Sequence, residues 1–259
     1  MPRQSRLSRS IAQRVAFITG GASGMGRATC ELFADEGAHV AVTDVRAEGA
    51  EEVAAGIRAA GGSARAWHLD VADPEAIARV VEDCVATFGG LDILVNNAGM
   101  GVGGAVDSDG YDAVWQHAFD VMLTSHQRLV RAALPSLRAS DGGRIINIAS
   151  TEALGATAGT GPYAAAKHGV VGLTRSLAVD LSREGITVNC ICPGPILTGL
   201  TQGIPEPARE KFARRRVPIR RYGEPEEIAH MVLNLALPAA SYVTGTTIPV
   251  DGGLTIQNT

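Results

Sequence analysis

Tyr163 and Lys167 stand four residues apart in Tyr163-Ala-Ala-Ala-Lys167, and Ser150 lies thirteen residues before the tyrosine. On a helix, positions i and i+4 share a face, so the phenol and the ammonium would lie side by side. A cation beside a phenol favours phenolate and lowers the pKa toward the working pH, which makes a usable general acid and base. A pair at this spacing is usually a solvated helix pair; the serine and a second motif upstream give it weight. Lys167 also stands out by number, because only two of the 23 basic residues are lysines, Lys167 and Lys211.

The second motif is Thr19-Gly-Gly-Ala-Ser-Gly-Met-Gly26, between an apolar run and a helical segment. Strand, glycine turn and helix in this order place backbone N–H groups and a positive helix end against a phosphate, and glycines let the backbone approach closely. Gly20, Gly24 and Gly26 carry the motif, with Ser23 and Met25 between them. It lacks the Lys-Ser/Thr ending of a triphosphate loop, so a dinucleotide is expected. Asp44 closes the next apolar run, where an acidic residue takes the ribose hydroxyls of NAD and repels the extra phosphate of NADP. Arg46 is the counter-argument, but Asp44 holds the strand end itself. The expected cofactor is NAD in preference to NADP.

These groups need a scaffold that brings several strand ends together. Continuous aliphatic runs occur at 15–19, 39–43, 64–69, 93–95, 144–148, 187–191 and 247–250, separated by Ala-, Glu- and Arg-rich segments of helical period. Such runs suit strands buried on both faces, and intervening helices give right-handed crossovers. The expectation is an α/β fold, a Rossmann-like doubly wound parallel sheet of seven strands in one domain over residues 13–259, after a flexible tail over 1–12. Two segments come after strand carboxyl ends, where such sheets bind ligands: glycine-rich 99–104 and proline-rich 193–222. The second is the expected substrate lid.

Composition narrows the function classes. A chain of 259 residues with net charge −4 and no basic stripe is a poor partner for nucleic acid. No run approaches the length of a membrane span, and no apolar segment follows the Arg-bearing start, so a cytoplasmic protein is expected. Cys30, Cys84, Cys190 and Cys192 fall in helix or strand segments and read as buried thiols. Six histidines with no paired ligand spacing, and one unmatched Cys-x-Cys, predict no metal site.

With these residues in place the chain resembles the short-chain dehydrogenase/reductase family, from Val15 to about Leu254. The matching residues are the glycine motif, Asp44, Asp70-Val71, Asn96-Asn97-Ala98-Gly99, Ser150, Tyr163 and Lys167. The resemblance implies that Asp70 and Val71 lie beside the adenine, that Pro193, Gly194 and Thr198 shape the nicotinamide site, and that Ile196 backbone groups meet the carboxamide. It implies a homotetramer, and an oxidoreductase that interconverts a secondary alcohol and a ketone by hydride transfer. In that chemistry Ser150 holds the substrate oxygen, Tyr163 exchanges a proton with it, and Lys167 holds the ribose and keeps Tyr163 acidic. One residue departs from the pattern: the family usually carries an Asn that holds a water against the lysine, where this chain has Met122 within Val121-Met122-Leu123. A thioether cannot donate. Recruiting Ser125 instead would need a changed helix register.

For the substrate, Glu152 occupies a position that commonly faces it in relatives, where a carboxylate would disfavour acids; a solvated loop carboxylate is the equal alternative. Met100, Val102, Leu154, Leu197 and Leu200 suggest an apolar wall. A hydrophobic cyclic alcohol, terpenoid, alicyclic or steroid-like, is expected. Two alternatives stay open: a catalytically weak dinucleotide-binding sensor or scaffold, and an NADP-dependent carbonyl reductase. The arginines at 214–216, 220 and 221 could hold an anionic substrate, although acids at 224, 226 and 227 stand close by in sequence to neutralise them.

Overall fold

A computed structural model describes residues 6–257. The chain runs β1 (Val15–Thr19), α1 (Gly24–Asp35), β2 (His39–Asp44), α2 (Ala47–Ala59), β3 (Ser63–His68), α3 (Pro74–Phe88), β4 (Ile93–Asn96), α4 (Tyr111–Phe119), α5 (Ser125–Ala139), β5 (Arg144–Ile148) and α6 (Gly161–Leu181). It ends with β6 (Thr187–Pro193), α7 (Gly199–Gln202), α8 (Glu206–Arg216), α9 (Pro225–Ala236) and β7 (Thr247–Val250). The seven strands form one parallel sheet in the order β3-β2-β1-β4-β5-β6-β7. From β1 the chain winds outward one way and from β4 the other, so a crevice opens between their carboxyl ends.

Alternation along β1 explains why its run is apolar from Val15 to Ile18. Ala16 and Ile18 face a cluster with Phe33 of α1 and Val53 of α2, whereas Val15 and Phe17 face Ile77 of α3 and Leu129 of α5. Both faces of the strand are therefore covered by helices, and all five residues are buried. Helix ends follow local chemistry: Asp73 caps α3 by accepting the Glu75 and Ala76 N–H groups, Pro74 opens it, and Gly89 at φ 83° ends it.

Three features add to the reading of the sequence. In the segment 193–222, β6 runs to Pro193, and α7 and α8 occupy much of the chain between it and Tyr222. Arg214, Arg215 and Arg216 occupy the last turn of α8, where cations complement the helix dipole, and Arg221 pairs with Glu227 at 2.7 Å. Of the tail over 1–12, residues 1–5 lie outside the described residues, as do 258–259 at the other end. Residues nearer β1 are anchored, because Ile11 is fully buried in the cluster around Phe33 and Ser8 accepts the Ala239 N–H at 3.0 Å. The third is a π-helical turn, Asp120–Thr124, joining α4 to α5. Among the described residues no helix is long and apolar enough to cross a membrane.

Candidate active site

The crevice at the strand ends is a cleft of about 990 Å³. Its floor begins at the β1–α1 turn. Gly20 adopts φ 68°, in the left-handed region, and a Cβ on it would stand 2.9 Å from Asn97 Nδ2. A Cβ on Gly26 would meet the Gly20 carbonyl oxygen at 2.0 Å, so only glycine lets α1 start this close to β1. Ser23 makes no side-chain cap and the first turn of α1 carries no acid, which leaves its N–H groups and dipole facing the cleft. Thr19 Oγ1 accepts the N–H groups of Asn97 and Ala98, at 2.9 and 3.0 Å, and so ties the glycine turn to the loop after β4. Thr19 belongs to the glycine motif, but its place in the sequence gives no sign of this tie.

Asp44 lies at the end of β2, 8% exposed. Its Oδ2 accepts the Ala22 N–H at 3.0 Å and its Oδ1 the Arg46 N–H at 2.9 Å. The Arg46 guanidinium, largely exposed, stands 3.7 Å from the same carboxylate. The glycine cradle, the free helix end and the acid at β2 fit a dinucleotide, whose phosphates Gly20, Ser23, Gly24 and Met25 would hold and whose ribose Asp44 would meet. A nicotinamide bound there would supply or take hydride.

Across the cleft, α6 presents Tyr163 and Lys167 on one face, as their spacing predicts, with the ammonium 5.8 Å from the centre of the phenol ring. Tyr163 shares a hydrogen bond with Ser150, which sits at the end of β5 and accepts the Glu152 N–H at 3.1 Å. Lys167 is buried and donates to the Ile148 carbonyl at 2.8 Å. Burial pulls its pKa down to about 8, opposed by Cys190 and Cys192. The expectation for the phenol is corrected. Burial pushes Tyr163 above its ordinary value, the Ser150 bond pulls it back, and Glu152 and Cys192 raise it further. Low polarity outweighs the cation, because Lys167 directs a proton at Ile148 rather than at the phenol oxygen.

Besides the residues already placed there, Asp70, Val71, Asn97, Ala98, Gly99, Met100, Leu197, Thr198 and Leu200 line the cleft. Thr198 caps α7, and its methyl lies near Gly24. Others expected at the site stand behind it. Gly26 packs under the turn. Pro193 ends β6, and Gly194 is pinned against Asp251, whose Cα a Cβ would approach to 2.7 Å. Ile196 is buried in the core, and its carbonyl accepts from Thr201. Val102 packs beside Met122, and Leu154 is exposed away from the cleft lining. Glu152 is clasped: its carboxylate accepts from Thr157 N and Oγ1 and from Thr160 Oγ1, at 2.8, 2.7 and 3.1 Å. These bonds fix the loop after β5, and the Glu152 charge is still felt at Tyr163. His117 and Val121, one turn apart on the α4 side, also line the cleft, and sequence reasoning missed both.

The family model described as enoyl-(acyl carrier protein) reductase matches residues 20–255. The chain is 40% identical over 249 residues to cis-4-hydroxycyclohexanecarboxylate dehydrogenase of Sinomonas cyclohexanicum, covering 96% of this chain and 99% of that one. The chain belongs to the short-chain dehydrogenase/reductase family. It is also 38% identical to a 3-oxoacyl-[acyl-carrier-protein] reductase of Thermotoga maritima, over 94% of this chain and 98% of that one. A crystal structure of a dehydrogenase/reductase from Sinorhizobium meliloti 1021 superposes with TM-score 0.90 at 39% identity, covering 95% and 97% of the two chains. The protein is thus an NAD(P)-dependent alcohol dehydrogenase or ketoreductase. In this dehydrogenase the π turn changes the helix register after α4, yet Ser125 is not turned to the lysine: its hydroxyl donates to the Val121 carbonyl at 2.6 Å. Met122 is fully buried beside Ala118, Ala166 and Tyr163 and fills the space with apolar atoms.

Proposed function

We propose that this enzyme uses NAD in preference to NADP to interconvert a hydrophobic cyclic secondary alcohol and its ketone. The observation that carries the cofactor reading is Asp44, a nearly buried carboxylate fixed by two main-chain N–H groups at the cleft wall. A phosphate at the adjacent ribose would face that charge. Arg46 is drawn to the same carboxylate and stands largely exposed, so it is a weak counterweight. Like charges about 4 Å apart at a protein surface oppose one another by up to roughly 4 kcal/mol. Catalytic efficiency with NAD is expected to exceed that with NADP by about 100-fold or more; equal or reversed efficiencies would refute the reading.

The substrate class rests on Met100, Leu197, Leu200 and Val121, which give the cleft apolar walls near Tyr163, and on the cyclic hydroxyl named for the Sinomonas relative. Ser150 and Tyr163 orient the substrate oxygen and exchange its proton, while the apolar walls exclude water. The segment 193–222, with α7 and α8 within it, acts as the lid, and the protein works as a cytoplasmic homotetramer. A spectrophotometric panel of cyclic alcohols, linear alcohols and short hydroxy acids tests the class. The cyclic alcohols are expected to lead; a hydroxy acid outpacing every cyclic alcohol contradicts it.

A further inference from the structure

Glu152, half-buried between β5 and α6, commits both carboxylate oxygens to its own segment. Oε2 takes the Thr157 main-chain N–H at 2.8 Å and Oε1 the Thr157 hydroxyl at 2.7 Å. The Thr160 hydroxyl, 3.1 Å from Oε2, divides its one proton between that oxygen and the Thr157 carbonyl at 2.7 Å. Hydrogen bonds to an ionised acceptor are about twice as strong as neutral ones. The chain from Glu152 to Thr160 is thereby closed into a turn that ends where α6 begins.

That turn touches the opposite wall of the cleft. Gly159, at φ 78°, aims its carbonyl at the Gly104 N–H, which donates at 2.8 Å. The approach is so close that a Cβ on Gly103 would stand 2.6 Å from the same oxygen. A Cβ on Gly161 would stand 2.5 Å from the Tyr111 hydroxyl, so the start of α6 is pressed equally against the start of α4. The glycine-rich segment 99–104 is therefore held at both ends: Thr19 grips Asn97 and Ala98 ahead of it, and Gly159 grips Gly104. Between the two ties lie Gly99 and Met100, which line the cleft. Val102 lies there too and packs, as Met100 and Tyr163 do, against Ala118, Met122 and Ala166. Glycines leave such a segment conformationally free, so the ties decide its shape.

We infer that Glu152 is a positioning residue for the substrate side of the cleft: by closing the turn to Thr160 it sets, through Gly159 and Gly104, where the Met100 wall stands relative to Ser150 and Tyr163. The role rests on the reading of Ser150 and Tyr163 as the pair that holds the substrate oxygen. The bond from the Glu152 main-chain N–H to Ser150 Oγ survives any change of the side chain, so the effect falls on the wall and not on the serine.

Glu152→Ala, Glu152→Gln and Thr157→Val test the role, with hydrogen exchange of the substrate-free protein and steady-state kinetics as readouts. In Glu152→Ala, peptides covering 152–160 and 99–104 are expected to exchange at least about tenfold faster, while β1 stays protected. KM for the alcohol is expected to rise about tenfold or more, with KM for the dinucleotide within about twofold and kcat changing less than the alcohol KM. Glu152→Gln is expected to restore both, because its Oε1 accepts the Thr157 N–H and its amide donates to Thr157 Oγ1. Thr157→Val is expected to loosen the same two segments and to add nothing to Glu152→Ala, since both remove one interaction; it also serves if Glu152→Ala does not fold. Unmoved exchange at 99–104, a wild-type alcohol KM beside a loosened 152–160, or Glu152→Gln behaving as Glu152→Ala overturns the inference. Exchange needs no substrate. Silence across the alcohol panel would therefore count against the proposed substrate class alone, and active turnover with unmoved exchange against the clasp alone.

Discussion

Tyr163→Phe is expected to lower kcat/KM by about 1,000-fold or more, roughly 4 kcal/mol of transition-state stabilisation, while NADH binding stays close to wild type. The change keeps the ring that packs against Ala166 and Met122 and removes only the hydroxyl and its bond with Ser150. Steady-state rates on an alcohol that the wild type oxidises, with NADH fluorescence titration alongside, make the comparison. Rates within tenfold of wild type would show that another group moves the proton. Direction of pH dependence comes from the same residue. Because burial raises the phenol pKa, the resting group is the acid that ketone reduction needs. Alcohol oxidation needs the phenolate, so its kcat/KM should climb toward alkaline pH, whereas that of reduction should fall there.

Gly26→Ala is expected to abolish useful NADH binding and to lower Tm by about 5–10 °C, the effect of roughly 3 kcal/mol on a chain of this size. A methyl at this position meets the Gly20 carbonyl oxygen at 2.0 Å and Asn97 Nδ2 at 2.6 Å. The first obstacle is backbone, so α1 must move away from β1 and take the cradle with it. Gly56→Ala is the control. Gly56 lies exposed within α2 with nothing within 4 Å of an added Cβ, and alanine there should raise stability by about 0.5–1 kcal/mol. Calorimetry and NADH titration of both variants measure the contrast; a Gly26→Ala protein that binds NADH normally would refute the close-packing account.

The strands were legible because burial on both faces leaves uninterrupted aliphatic runs, and every strand except β6 ends within one residue of its run. β6 reaches Pro193 because it keeps a neighbour in β7 as far as Val250. α8 could not be read the same way. Of its eleven residues, Glu206–Arg216, only Ala213 is buried, so no apolar stripe marks it. The π turn adds a residue to one helical turn and leaves no composition signal. Spacing placed Tyr163 beside Lys167, but how deeply the pair is buried decides the phenol pKa, and that depth is a tertiary property.

Lys167 is sealed inside, and Lys211 stands exposed on α8. Apart from the α-amino group, an amine-directed acylating reagent therefore meets a single reactive side chain in the folded protein. A fluorophore delivered by ordinary lysine chemistry would land on α8, a few residues beyond the cleft-lining Leu200 and Gln202, without any engineered attachment residue. Its emission would then report whether that helix moves as cofactor and alcohol enter.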